Sequence, residues 1–286
     1  MHDVIIIGTG PAGISAGIYT ARAKLRTMII GSGSGALAKA EKIENYYGFS
    51  SPITGEKLLS EGIAQAENVG AEILNDQVVS IGFDGEYTIK TKSAEYRGKT
   101  VILATGSNRT APKIDGFTRF EGQGISYCAV CDAFFYRGKD VAVLGCCEYA
   151  LHEARELLPV VKSVTMLTNG VAPIPDIPRD IPVITAEIAA LEGKETLEKV
   201  KFADGKELSV AGVFVAIGVA GSSDLAKKLG AETEGMKIVV DENMATNLPG
   251  LYAAGDCTGG MMQIAKAVYE GAKAGTQAVK FIRNNK

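Results

Sequence analysis

No apolar run in this chain approaches the roughly 18 residues needed to cross a bilayer as a helix. The opening MHDVIIIGTG has neither a basic leader nor a cleavage signal, so the expected location is cytoplasmic and membrane partners are not expected. A basic excess is also missing: 30 Lys and Arg against 33 Asp and Glu leave a formal net charge of -3. Nucleic-acid binding starts with phosphate neutralisation by a basic surface, so small molecules or proteins are the expected partners. Cysteine is sparse. Five in 286 residues are too few and too uneven for the disulfide framework of a secreted domain. Two of them, Cys128 and Cys131, form a C-x-x-C pair, which suits a redox couple or half of a metal site. The remaining ligand candidates, Cys146, Cys147, Cys257, His2 and His152, supply no second C-x-x-C or H-x3-H, so no metal is expected.

Glycine and buried-strand patterns are plentiful. With 34 glycines and 46% hydrophobic residues the chain can build one or two real cores. DVIIIG reads as a buried strand, PAGISAGIYTARAK as a helix with a small-residue face, and RTMIIG as the next strand, a βαβ order that predicts a parallel doubly wound sheet. Alternating strands follow and end in a buried strand at Gly106. A second strand-turn-helix starts at Lys139 and is followed by SVTMLT, which predicts a second sheet on the same plan. The fold class is therefore α/β with two Rossmann-like domains. APKIDGFTRFEGQG and DENMATNLPG are the expected hinges, and the chain closes as a strand, a turn and one long amphipathic helix.

Gly8, Gly10 and Gly13 stand at the G-x-G-x-x-G spacing between a strand and a helix. The first glycine permits the tight turn, the second lets backbone approach a pyrophosphate, and the third allows close helix packing. The helix N-terminus then favours an anion. A glycine-rich turn can also bind nothing, but this complete context favours a dinucleotide. About 20 residues on, where a carboxylate would often grip a ribose, the chain reads Gly31-Ser32-Gly33-Ser34.

GTGPAG, IENYYGF, ILATGS, CAVCDAFFYRG, FVAIG and LYAAGDC occur in that order across nearly the whole chain, which resembles the low-molecular-weight thioredoxin reductases. The resemblance implies FAD in a discontinuous domain, residues 1–114 and 242–286, with a smaller redox domain, residues 115–241, inserted between them. Gly8, Gly10, Pro11, Ala12 and Gly13 would hold the pyrophosphate, and Ala104, Thr105 and Gly106 belong to the same expected site. Asn45 would lie near the isoalloxazine, Asp256 would bond the ribityl chain, and Gly255, Gln263 and Ile264 would lie by the pyrimidine end. Cys131 would face the flavin, Cys128 would attack the disulfide of thioredoxin, and Asp132 would handle the proton. A homodimer is implied as well. Cys146, Cys147 and Cys257 are expected as small packing residues, and His152 as an ordinary helix residue.

Relatives of this kind place a nicotinamide in the inserted domain with G-x-G-x-x-A and a basic H-R-R-x-x-x-R segment. Here Gly145 and Ala150 remain, but Cys147 stands at the close-approach glycine and Thr168-Asn169-Gly170 replaces the basic segment. Losing two charge-assisted contacts would weaken NADPH binding by roughly 3 to 6 kcal/mol, or about two to four orders of magnitude. The chain thereby resembles ferredoxin-dependent flavin thioredoxin reductases, which implies reduced ferredoxin as donor. An acidic donor needs a local basic patch. Arg22, Lys24 and Arg26 are close in sequence, but a solvated helix end is the favoured account of them. An NAD(P)H-dependent reductase with a divergent site, a dithiol oxidase and an idle flavin-binding protein remain the alternatives.

Overall fold

The computed structural model describes residues 1–33, 35–106, 112–127, 129–175, 177–217 and 221–285; the side chains of Lys39, Val130 and Cys131 also lie outside the description. Contacts divide the chain into two units, Met1–Asn108 with Gly221–Lys286, and Arg109–Ala220.

The first unit opens with β1 (His2–Ile7), α1 (Pro11–Arg22) and β2 (Thr27–Gly31). β1 and β2 pair in parallel, and Val4, Ile5, Ile6, Ile29 and Ile30 are fully buried, as continuous apolar runs require in a sheet covered on both faces. Next comes α2 (Gly55–Asn68), whose N-cap Thr54 accepts the Lys57 N–H. Four strands follow: β3 (Glu72–Asn75), β4 (Val78–Phe83), β5 (Tyr87–Thr91) and β6 (Glu95–Leu103). The sheet order is β3-β2-β1-β6-β5-β4.

The second unit contains β7 (Ile125–Ser126), the short helix α3 (Ala129–Asp132), β8 (Asp140–Leu144), α4 (Glu148–Leu157) and β9 (Ser163–Leu167). It continues with β10 (Val183–Ile184), β11 (Ile188–Glu192), β12 (Lys199–Phe202), β13 (Glu207–Ser209) and β14 (Gly212–Val215). A parallel sheet of order β10-β9-β8-β14-β7 is accompanied by the antiparallel sheet β11-β12-β13.

The chain then completes the first unit with α5 (Ser222–Leu229), the β15 (Thr233–Glu234) and β16 (Lys237–Ile238) ladder, β17 (Leu251–Ala253) and α6 (Ile264–Asn284). β17 joins β6 in parallel, and small residues of α6 and α1, Ala267, Ala274, Ala12 and Ala16, share one core. The first sheet is mixed, with β3, β2, β1, β6 and β17 parallel and β5 and β4 antiparallel, whereas the second is parallel; the parallel part of each is Rossmann-like, as the βαβ patterns predict.

The boundaries differ from those expected at 114/115 and 241/242. Residues 221–241 belong to the first unit, where α5 packs against β4. Neither expected hinge is a free linker. Phe117 and Phe120 are buried in the core of the second unit, and Leu191 N donates to Asp115 O there. In the other segment Asp241 Oδ1 accepts from Asn243 N and Ala245 N, and Ala245 bridges to Tyr252. Proline, glycine and polar residues mark turns, and these turns are packed.

Candidate active site

β1, β6 and β17 run in parallel, with Ile7 and Ala253 both opposite Leu103. The segments after them, Gly8 onward, Ala104 to Gly106 and Ala254 to Asp256, therefore emerge together at the carboxyl edge of the sheet, where open α/β folds bind ligands. Gly8 has φ +123, and a Cβ on it would lie 2.2 Å from Ala104 O. A Cβ on Gly13 would lie 1.8 Å from Gly8 O, whereas one on Gly10 would meet nothing within 4 Å. Steric need inside the protein explains Gly8 and Gly13; the open space over Gly10 is the room a pyrophosphate needs. Gly10 is the N-cap of α1, Pro11 follows it, and no acidic residue sits in the first turn. The missing Pro11 N–H is harmless at that position, and the remaining free N–H groups favour an anion.

The other expected residues converge on this edge. Thr105 N donates to Ser222 Oγ at 3.0 Å and Ser222 N donates to Thr105 Oγ1 at 2.7 Å, which ties the loop after β6 to the start of α5. Asn45 Nδ2 donates to Gln263 Oε1 at 2.8 Å, so the 45 loop meets the N-cap of α6, just before Ile264. Asp256 is half-buried, and its carboxylate makes no hydrogen bond or ion pair among the described residues. It is available to a hydroxyl of the ribityl chain. These donors, the free carboxylate and the open Gly10 turn fit FAD.

Sequence reasoning missed the group that shapes the Asp256 loop. Glu270 is buried, and its Oε2 accepts from Gly255 N at 2.8 Å, Thr258 Oγ1 at 3.0 Å and Lys266 Nζ at 3.0 Å. Lys266 Nζ also donates to Gly255 O at 2.9 Å. The signal was the K-x-x-x-E spacing, which puts both side chains on one helix face. Removing one member of a buried pair strands the other. Glu270→Ala is therefore expected to lower the stability of the apo-protein by about 3 kcal/mol, as measured by urea unfolding, and to weaken FAD retention with it. Cys257 in this loop is buried, and burial pushes its thiol up to about 11. It is a packing residue, as expected.

In the second unit the corresponding turn keeps only part of the fingerprint. A Cβ on Gly145 would lie 2.2 Å from Ala216 O and 2.7 Å from Ala150 Cβ, so Gly145 and Ala150 still serve the turn and the helix packing. Cys147 is the N-cap of α4 without a side-chain cap bond, and its Sγ lies 3.8 Å from Ala216 O. Glu148 follows as an acid in the first turn. A carboxylate there already answers the helix dipole and repels a phosphate; sequence reasoning stopped at Cys147 and missed it. After β9, Asn169 adopts φ +51, and its Oδ1 accepts from Ile188 N at 2.7 Å. Asn169 is thus committed to the β11 backbone. Cys146 and Cys147 are half-buried rather than fully buried, and burial, then the neighbouring Cys147, pushes the Cys146 thiol up.

Of the redox residues, Cys128 lies outside the described residues. Cys131 sits in α3, and its side chain is not described. Asp132 ends that helix, and its Oδ2 accepts from Ser126 Oγ at 2.7 Å. Tyr136 is pushed up by burial and then by Asp132. Among the described residues, no helix is long and apolar enough to cross a membrane.

The pyridine nucleotide-disulphide oxidoreductase family model matches residues 2–271. The thioredoxin reductase of Aquifex aeolicus is 35% identical over 100% of this chain and 95% of its own length. Among solved structures, the atypical thioredoxin reductase TRi from Desulfovibrio vulgaris Hildenborough is 42% identical, covers 99% of both chains and superposes with a TM-score of 0.92. A ferredoxin-flavin thioredoxin reductase from Clostridium acetobutylicum is 33% identical, covering 99% of this chain and 98% of its own, with a TM-score of 0.71. The chain belongs to the pyridine nucleotide-disulphide oxidoreductase family and, within it, to the thioredoxin reductases, flavoprotein enzymes that bind FAD.

Proposed function

We propose that the protein reduces thioredoxin through a Cys128/Cys131 dithiol, with electrons from reduced ferredoxin by way of FAD. The observation that carries the choice of donor is the turn before α4: Cys147 at the close-approach position and Glu148 in the first helical turn oppose a nicotinamide pyrophosphate. The likeness to a ferredoxin-flavin thioredoxin reductase supports the same reading. Bound over Gly10, FAD supplies conversion between single electrons and electron pairs. Gly8, Gly10, Pro11, Ala12 and Gly13 hold the pyrophosphate, and Ala104, Thr105 and Gly106 close the neighbouring strand end. Asp256 takes the ribityl chain, while Asn45, Gly255, Gln263 and Ile264 flank the ring.

The Cys128 thiolate attacks one sulfur of the thioredoxin disulfide and expels the other as a thiol. Cys131 then attacks the Cys128 sulfur, releases the second thioredoxin thiol and leaves a Cys128–Cys131 disulfide. Two electrons, one from each of two reduced ferredoxins, and two protons restore the dithiol. Asp132 holds the transferred proton, oriented by the Ser126 hydroxyl. The reading includes cytoplasmic action, where a C-x-x-C pair stays in exchange with other thiols, and a homodimer, which the family likeness supports.

Reduced ferredoxin is expected to drive anaerobic reduction of thioredoxin, followed as released thiols; absence of turnover with active ferredoxin and thioredoxin defeats the proposal. Asp132→Asn should lower turnover by about a hundredfold or more, the usual worth of a positioned acid or base. Stopped-flow traces should place that loss in the thiol exchange rather than in FAD binding.

A further inference from the structure

We infer that Glu153 is a positioning residue for this reaction: its buried carboxylate holds the first turn of the redox helix and keeps the Cys128/Cys131 dithiol strongly reducing. The inference rests on the proposed role of that cysteine pair. Glu153 lies on α4 with 2% of its surface exposed, an expensive place for a carboxylate unless it is bonded. Its Oε2 accepts from Ala129 N at 3.0 Å. Ala129 is itself fully buried and is the first residue of α3, the helix that carries Cys131 and Asp132. Its nitrogen is also joined by the peptide bond to Cys128. The middle of α4 therefore reaches the first backbone N–H of α3, while its N-terminus is occupied by Cys147 and Glu148.

The electrostatic sign follows from what neighbouring groups do to a thiolate. A free backbone N–H stabilises it, and stabilising the reduced form makes a dithiol a stronger oxidant. A carboxylate that takes the first N–H acts in the opposite sense. It disfavours the thiolate, favours the disulfide and makes the dithiol a better reductant. Glu153→Gln separates charge from geometry, because the amide oxygen can still accept from Ala129 N in the same shape.

The full-length FAD-loaded protein would be equilibrated without oxygen at fixed pH against graded ratios of reduced and oxidised dithiothreitol. Each protein disulfide takes two electrons and two protons from dithiothreitol, which closes to its own cyclic disulfide. Alkylation and mass spectrometry of the peptide containing both cysteines give the reduced fraction. Glu153→Gln is expected to move the midpoint about tenfold toward easier reduction, about 30 mV less negative, and Glu153→Ala at least as far. Midpoints within about twofold of wild type overturn the inference while leaving the redox pair intact. A wild-type pair that takes no electrons at any ratio overturns the redox reading itself. Should both variants fail to fold, amide exchange decides on wild type: Ala129 N–H is expected to be strongly protected, and exchange at open-chain rates contradicts the contact.

Discussion

Cys131→Ser is expected to slow ferredoxin-driven reduction of thioredoxin by at least about a thousandfold, because the covalent intermediate loses the thiol that carries it forward. FAD content should stay near wild type, since every residue placed to hold FAD lies in the other structural unit. The variant should also trap thioredoxin as a mixed disulfide at Cys128, visible as a heavier band on a non-reducing gel. Cys128→Ser should lose the same rate without the trapped band. Activity retained in either variant, with FAD bound, would remove the C-x-x-C pair from the mechanism.

The second large effect concerns the glycine turn. Gly10 has φ -76 and ψ -179, an extended conformation open to any residue, and a Cβ there meets no protein atom within 4 Å. Gly10→Val should therefore leave the apo-protein folded, at a loss of about 1 kcal/mol or less for a poorer N-cap. FAD affinity should fall at least about a hundredfold, which corresponds to about 2.7 kcal/mol. Gly13→Val provides the contrast. Its Cβ would lie 1.8 Å from Gly8 O, so the turn itself must move and the apo-protein should be destabilised as well. Isothermal titration of FAD into the apo-proteins, with urea unfolding alongside, separates the two outcomes. Equal FAD affinity in wild type and Gly10→Val would show that no pyrophosphate sits over Gly10.

Local patterns made much of this molecule legible. DVIIIG and PAGISAGIYTAR announce a buried strand and a helix because apolar runs, small-residue faces and a G-x-G-x-x-G turn are determined within a few residues. VAVLGCC showed its missing glycine for the same reason. Long-range structure was harder to read. Residues 221–241 follow the inserted unit in sequence yet pack with the first, through α5 on β4 and Ser222 on Thr105, and no local signal encodes such a contact. The expected hinge around Phe117 and Phe120 failed because turn-forming residues say nothing about burial of the aromatics between them. Glu153 and Glu270 look like ordinary helix-surface acids in sequence. Only the fold aims one at Ala129 N and the other at Gly255 N.

The measurement that bears most directly on the choice of electron donor is the visible spectrum of the FAD-loaded protein, recorded without oxygen after addition of NADPH, NADH or reduced ferredoxin. Cys147, Glu148 and the uncharged residues after β9 predict that both nicotinamides leave the oxidised flavin absorbance unchanged over minutes, whereas reduced ferredoxin bleaches it. Bleaching by NADPH or NADH within seconds would contradict the account.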